Sequence, residues 1–241
     1  MGRRHVARRP LGSLLARVRP DLADPIGAIE RGAVWVDGTP VTNPRSFVRI
    51  DAAITVRDAP VLRGETKLAA ALAAFGVDVR DRVALDLGAA AGGFTRALLA
   101  AGARRVYAVD AGHGQLRGAL RQDARVVNLE ATNLAALDRA RVPDAVDVVT
   151  VDLSYLAVAD ALAELDRIAL APAADLVALV KPMFELGLAT APSDDATVAR
   201  AVAHAVAGAR ACGWRGIATM PSPVRGARGA VEAFLHARAA P

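Results

Sequence analysis

The chain of 241 residues is long enough for one large domain or for a small domain followed by a medium-sized one. Its composition, 54% hydrophobic and 23% charged, excludes general disorder, and the 4% aromatic content predicts an aliphatic, alanine-rich core. One cysteine, Cys212, and four histidines exclude an internal disulfide and are too few and too scattered to build a metal site. No apolar run reaches the roughly 18 residues that a bilayer span needs. We therefore expect a cytoplasmic protein without metal or membrane anchor.

Positive charge is concentrated at the N-terminus. The net charge is +5, and residues 1–20 contain no acidic residue but carry arginines at positions 3, 4, 8, 9, 17 and 19. Basic blocks of this kind commonly bind phosphate, because each neutralised phosphate releases condensed counterions. A solvated arm without a partner is the alternative.

Residues 11–60 show the signals of a small α+β unit. Segments 11–15 and 26–30 predict two short helices, and 33–38 is an alternating strand that ends in an Asp-Gly turn. Residues 48–50 and 54–56 predict further strands. We place this unit at residues 1–57 and a linker, which contains Pro60, at 58–66.

From Lys67 onward, strands and helices alternate. Fully apolar strands separated by helices predict an α/β domain, here 67–241, with a mostly parallel sheet covered on both faces. The predicted strands are 83–87, 105–110, 126–127, 146–151 and 176–180, with a closing pair at 217–219 and 231–235. The predicted helices are 67–75, 92–101, 158–168 and 197–212.

A glycine-rich turn follows the strand 83–87 and opens the next helix. Its G-x-x-x-G-G spacing differs from that of dinucleotide sites, and Asp86 at its entry would repel a pyrophosphate. An acid beside small residues instead suits S-adenosyl-L-methionine, which carries a sulfonium and an aminocarboxylate. A purely structural turn is the alternative. The candidate cofactor residues in this turn are Asp86, Gly88, Ala89, Ala90, Gly92, Gly93 and Phe94.

Acidic residues beyond later strands extend this candidate site. Asp110 ends the second strand, where a carboxylate can accept both hydroxyls of a ribose, and Ala111 adjoins it. Glu130, beyond the third strand, is a candidate for the adenine side. Asp152 follows the fourth strand, at the same edge of the predicted sheet; a helix cap is the alternative for Asp152.

Only two of the thirty basic residues are lysines, Lys67 and Lys181. A guanidinium stays charged at physiological pH, so a position that keeps lysine amid arginines is a candidate for an amine that gives up its proton. Lys181 directly follows the strand 176–180 and therefore lies at the same predicted edge as the glycine-rich turn. Chance placement of two remaining lysines is the alternative.

Together these segments resemble the TlyA group of the FtsJ/RrmJ-like RNA 2′-O-ribose methyltransferases. The resemblance is carried by residues 63–68, 86–88, 107–110, 114–116, 152–155, 181–185 and 222–232, and residues 11–60 resemble the small RNA-binding module shared with ribosomal protein S-four. The family's Lys-Asp-Lys-Glu tetrad falls on Lys67, Asp152, Lys181 and Glu232. Four residues of the catalytic domain depart from the usual pattern: Glu65 stands where a glycine is usual, Arg96 where an acid is common, Met183 where glutamine is common and Ala230 where asparagine is usual. The N-terminal module lacks the usual Arg-Leu-Asp opening and a usual Ser-Arg pair near Pro25.

The resemblance implies a Rossmann-like S-adenosylmethionine-dependent methyltransferase that acts on a cytidine of ribosomal RNA, free or in a ribosomal subunit. The sequence leaves the oligomeric state open, and we favour a monomer. It implies that Lys181 is the general base, that Asp152 orients it, and that Lys67 and Glu232 hold the acceptor hydroxyl. The N-terminal candidates for RNA contact are Arg3, Arg4, Arg8, Arg9 and Arg17.

Three other functions remain open. A diverged enzyme of the same fold could methylate another RNA or a small-molecule hydroxyl, and haemolysin-like and non-catalytic RNA-binding proteins are further alternatives. We expect Trp214 to be a packing residue and Cys212 to be a small buried group.

Overall fold

A computed structural model describes residues 6–57, 61–192 and 194–240. Its contacts divide the chain into two compact units. The first comprises the chain up to Val61 together with Arg117–Asp123, and the second comprises Leu62–Leu116 and the chain from Ala124 onward. The candidate RNA contacts Arg3 and Arg4, and residues 58–60 of the predicted linker, lie outside the described residues.

The first unit is built of short elements around a small apolar cluster. Leu11 and Leu15 share one face of the first helix and pack with Ile29 and Val34. The elements are β1 (Arg8–Pro10), α1 (Leu11–Val18), α2 (Pro25–Glu30), β2 (Val34–Val36), β3 (Thr39–Pro40), β4 (Phe47–Arg49) and β5 (Ile54–Val56). β2 lies between β3 and β5, and β1 pairs with β4, all antiparallel. The helices and strands predicted here are confirmed.

The second unit contains the larger sheet. Its elements and the helix α5 run in chain order as α3 (Arg63–Phe75), β6 (Val83–Leu87), α4 (Gly93–Ala100), β7 (Arg105–Val109), α5 (Gly118–Gln122), β8 (Val126–Leu129), β9 (Val146–Val151), α6 (Val158–Ala163), β10 (Leu170–Val180), α7 (Pro182–Glu185), α8 (Asp195–Ala211), β11 (Trp214–Pro221) and β12 (Ala233–Ala239). α5 itself belongs to the first unit, where Gln122 Nε2 donates to Glu30 Oε1 at 3.0 Å.

The seven strands of this sheet lie in the order β11-β12-β10-β9-β6-β7-β8. The strands from β10 to β8 are parallel, and β12 runs antiparallel to both β10 and β11. The predicted α/β class with a mostly parallel sheet is confirmed. Strand order reverses between β6 and β9, and in open α/β sheets ligands bind at the carboxyl ends of the strands at such a point.

Several predicted boundaries and placements differ from the structure. α3 begins at Arg63, within the predicted linker, and the predicted helix 158–168 ends at Ala163 and continues as a 3-10 turn. Cys212 is exposed, so the prediction that it is buried is wrong: it follows the last turn of α8, on the solvent side. Trp214 is buried in the core, as predicted.

Two of the residues that depart from the family pattern, Glu65 and Arg96, contact each other. Glu65 on α3 and Arg96 on α4 form an ion pair with Nε and Oε2 3.3 Å apart. The two helices approach closely, because Gly64 and Gly93 face each other without side chains. The negative charge of Glu65 on α3 and the positive charge of Arg96 on α4 therefore neutralise each other where the two helices meet.

The described residues include neither a membrane-spanning helix nor a metal-binding cluster. Residues 6–57, 61–192 and 194–240 include no helix that is both long and apolar enough to cross a bilayer. The same ranges contain no cluster of three or more His, Cys, Asp or Glu side chains arranged to hold a metal ion.

Candidate active site

The four side chains of the predicted tetrad form two ion pairs within the second unit. Lys67 Nζ contacts Glu232 Oε2, and both side chains are buried. Lys181 Nζ lies 2.6 Å from Asp152 Oδ1 and also donates a hydrogen bond of 2.8 Å to Ser154 Oγ. Each lysine is thus held by one carboxylate.

Strand register explains how distant parts of the chain meet here. Val180 of β10 pairs with Ala233 of β12, so Lys181, just after one strand, and Glu232, just before the other, lie side by side at one edge. Leu87 of β6 is the partner of Val151 of β9, which places Asp152 next to the glycine-rich turn. The Asp152 N–H donates to Leu87 O at 2.9 Å and fixes this position.

The tetrad lines a cavity of about 650 Å³, here called the acceptor cavity. This volume lies within the range typical of ligand sites. Besides the tetrad, its walls include Ser154, Pro182–Phe184, Ala189–Ala191 and the segment 227–231. Lys67 and Lys181 therefore face the same space although they lie far apart in sequence.

A second, smaller cavity of about 210 Å³ lies against the glycine-rich turn, here called the cofactor cavity. Five of the predicted cofactor residues line it: Gly88, Ala90, Asp110, Ala111 and Asp152. Asp152 and Ser154 line both cavities. The two spaces thus meet beside Lys181.

Asp110 shapes the wall of the cofactor cavity. Its Oδ2 accepts a hydrogen bond from Ala90 N at 2.8 Å and its Oδ1 accepts one from Gly112 N at 2.7 Å. Gln115 Nε2 also donates to Oδ1, at 3.5 Å. Because a carboxylate oxygen can accept two hydrogen bonds, Oδ2 retains acceptor capacity toward a ligand hydroxyl. Glu130 lies behind this wall, where its Oε1 accepts from the N–H groups of Gln115 and Leu116.

Asp86 also lies behind the turn, away from both cavity walls. It is 0% exposed, and its carboxylate accepts hydrogen bonds from Thr95 Oγ1 at 2.7 Å and Thr150 Oγ1 at 2.9 Å. Burial raises the pKa of Asp86 to about 6, because desolvation outweighs the two hydroxyl bonds. The side chain links α4 to β9 and lines neither cavity.

The remaining turn residues also serve packing. Phe94 is buried and stacks on Phe234, with ring centroids 6.1 Å apart. Gly93 permits the close approach to Gly64, and Gly92 adopts a left-handed φ of 91° that starts α4. Ala89 is buried. The structure brings none of these four to the cofactor cavity.

Sequence reasoning missed three supporting residues. Ser154 accepts the Lys181 hydrogen bond, and buried Glu185 accepts from Val158 N at 2.9 Å and contacts His204 Nδ1 at 2.8 Å. Gly226 lies so close to Glu232 that an added Cβ would overlap its carboxylate. All three lie in segments that carried the family resemblance, but their contacts are made across the fold and leave no local signal.

Comparison with known proteins agrees with this geometry. Residues 60–239 match the pattern of the FtsJ-like methyltransferases. Together with the parallel sheet and the glycine-rich turn at its switch point, the match defines the class of the protein: it is a methyltransferase with a Rossmann-like fold.

Individual relatives narrow the class. The 16S/23S rRNA (cytidine-2′-O)-methyltransferase TlyA of Mycobacterium tuberculosis is 42% identical over 233 residues, which are 93% of this chain and 85% of that one. YqxC of Bacillus subtilis, provisionally named an rRNA methyltransferase, is 35% identical, covering 87% and 77%. A solved structure from Streptococcus thermophilus, provisionally named a hemolysin, superposes with a TM-score of 0.71 at 27% identity, covering 98% and 90%. The chain belongs to the FtsJ-like methyltransferase family and, within it, to the TlyA group.

Proposed function

We propose that this protein transfers a methyl group from S-adenosylmethionine to a ribose 2′-hydroxyl of ribosomal RNA in the cytoplasm. The observation that carries the proposal is the meeting of the two cavities: the tetrad lines one, the glycine-rich turn lines the other, and Asp152 and Ser154 belong to both. The N-terminal module, 1–57, would bind RNA and the domain 67–241, after the linker 58–66, would carry catalysis.

The cofactor cavity fits a cationic ligand that bears hydroxyls. Two carboxylates, Asp110 and Asp152, stand at its wall beside the small residues Gly88, Ala90 and Ala111, which leave the backbone accessible. Asp110 would accept ribose hydroxyls, and Asp152 would stabilise positive charge at the end nearest the tetrad. Bound S-adenosylmethionine supplies an electrophilic methyl group on its sulfonium.

The acceptor cavity supplies the proton chemistry. Lys181 Nζ in its neutral form would take the 2′-hydroxyl proton as the oxygen attacks the methyl carbon, so that an O–C bond forms while the S–C bond breaks. Asp152 and Ser154 hold Nζ in place through contacts of 2.6 and 2.8 Å. The Lys67–Glu232 pair would position the hydroxyl, because its two buried charges fix each other.

The nucleotide is proposed from the relatives. The mycobacterial relative is named a cytidine-2′-O-methyltransferase of 16S and 23S rRNA. Because that relative is 42% identical over 93% of this chain, we propose a cytidine acceptor here as well.

The experiment that tests this function maps methylation of 16S and 23S rRNA by the purified protein with labelled S-adenosylmethionine. The mapped fragment is then made with a single 2′-deoxy substitution at the modified nucleotide. We expect this substitution to abolish labelling. Labelling that survives it would place the methyl group on a base, and labelling of small hydroxyl compounds without RNA would favour the diverged-enzyme alternative.

A further inference from the structure

We propose that Arg228 binds the phosphate on the 3′ side of the acceptor ribose. This inference rests on the proposed function and deepens it by naming what the cavity recognises beside the hydroxyl. It concerns a residue outside the tetrad, on the loop that precedes β12.

The charge balance of the acceptor cavity is the first observation. Five ionisable side chains line it, and four of them lie in the pairs Lys67–Glu232 and Lys181–Asp152. The fifth, Arg228, is exposed, and within the described residues it makes no ion pair or side-chain hydrogen bond. Its guanidinium therefore carries a positive charge at this wall that no carboxylate of the described residues contacts, and it is available to an anion.

The chemistry of a guanidinium identifies the anion. Its planar array of N–H donors matches the oxygens of a phosphate and binds them in charge-assisted hydrogen bonds. In an RNA chain the 2′-hydroxyl and the 3′-phosphate are attached to adjacent carbons of the ribose. A hydroxyl held at Lys181 and Glu232 therefore brings a phosphate to the same cavity, whereas a small uncharged alcohol would leave Arg228 without a partner.

The loop holds Arg228 in place next to the tetrad. Arg228 has a left-handed backbone, φ 54° and ψ 26°, which is unfavourable for a residue with a side chain. Around it, Gly226 N donates to Ala230 O at 2.8 Å, and Arg225 Nη1 donates to Gly229 O at 3.2 Å. Gly226 also lies against the Glu232 carboxylate, so the loop that presents Arg228 is the one that confines Glu232.

The test uses steady-state methyl transfer to the mapped rRNA fragment by the full-length protein and two variants at position 228. For Arg228→Ala we expect KM for RNA to rise about tenfold while kcat stays within about twofold of the wild type. The KM of Arg228→Lys should lie between those of the wild type and Arg228→Ala. The slope of log kcat/KM against log salt should decrease by about 1, because one phosphate contact is lost. Arg104→Ala is the matched control. Arg104 is exposed and directly precedes β7, so it lies at the amino ends of the parallel strands, whereas the acceptor cavity lies at their carboxyl ends. Its KM for RNA should therefore not change.

A second substrate tests the phosphate itself. A methylphosphonate in place of the phosphate 3′ to the acceptor removes its charge, and it should raise KM about tenfold for the wild type but have no further effect on Arg228→Ala. Equal effects on both proteins, or an unchanged KM in Arg228→Ala, would overturn the inference while leaving the proposed function intact. If the wild type labels no RNA at all, the proposed function fails first. Arg228→Lys, measured with both substrates, provides the same comparison if Arg228→Ala folds poorly: the methylphosphonate should raise its KM less than it raises that of the wild type.

Discussion

Asp86 couples the folding of the second unit to pH. Its folded pKa of about 6 is raised from 3.8 by burial, so its contribution to stability is fully present below pH 3.8 and is lost as pH rises through 6. A shift of about two pKa units corresponds to roughly 3 kcal/mol. Asp86→Asn keeps the side chain neutral, and its free energy of unfolding should fall less than that of the wild type between pH 4 and pH 7.5.

Urea denaturation of both proteins at these two pH values measures the difference directly. Parallel pH profiles for wild type and Asp86→Asn would show that the buried carboxyl group does not carry this dependence.

Gly226 offers a test of the Lys67–Glu232 pair that leaves both partners in place. An added Cβ would overlap the Glu232 carboxylate, and the flexible end of that side chain is what would move. We expect Gly226→Ala to lower kcat by at least tenfold with little loss of thermal stability, because the pair is displaced while the core is untouched. Unchanged kcat in Gly226→Ala would mean that the position of Glu232 does not matter.

At the scale of elements, Glu185 joins the two segments that carry Lys181 and Asp152. It lies at the end of α7, four residues after Lys181, and accepts the N–H of Val158 at the start of α6, six residues after Asp152. Glu185→Ala would leave that buried N–H unsatisfied, and we expect it to cost about 2 kcal/mol of stability and to lower kcat about tenfold. Glu185→Gln keeps an acceptor and should recover most of both.

Replacement of His204, the other partner of Glu185, provides the control. His204 is half exposed, so its removal would open a path for water to Glu185 Oε1, and the bond from Val158 N to Glu185 would stay in place. His204→Ala should therefore affect kcat far less than Glu185→Ala. Loss of stability in Glu185→Ala with unchanged kcat would reduce Glu185 to a purely structural residue.

The sequence predicted the strands and their order of appearance well, because a buried parallel strand is a short apolar run between helices. The two surviving lysines and the family motifs also pointed to four side chains that the structure brings to one cavity, and their catalytic roles stay predictions. The sequence could not show that Asp86 faces two threonines, because the direction of a side chain at the end of a strand depends on neighbours that are remote in sequence. For the same reason the sequence did not reveal the supporting role of Glu185, whose hydrogen-bond partners are 27 and 19 residues away.

At the scale of the whole molecule, RNA binding is predicted to depend on the arginines of the first unit. Arg8 and Arg9 are exposed on β1. We expect the double variant Arg8→Ala/Arg9→Ala to bind rRNA more weakly and to lower the salt slope of binding by about 2, with unchanged S-adenosylmethionine affinity. A double variant that removes the same charge from the second unit, Arg104→Ala/Arg200→Ala, is the control. Equal losses in the two would indicate net charge rather than a defined contact.

The central claim is that Lys181 acts as a neutral amine, and Lys181→Arg tests it most directly. Arginine keeps the positive charge that pairs with Asp152 but does not give up its proton at physiological pH. Single-turnover methyl transfer to the mapped rRNA fragment should fall by about 10² to 10⁴, while binding of cofactor and RNA stays within a few-fold of the wild type. A Lys181→Arg rate within about fivefold of the wild type would contradict the account.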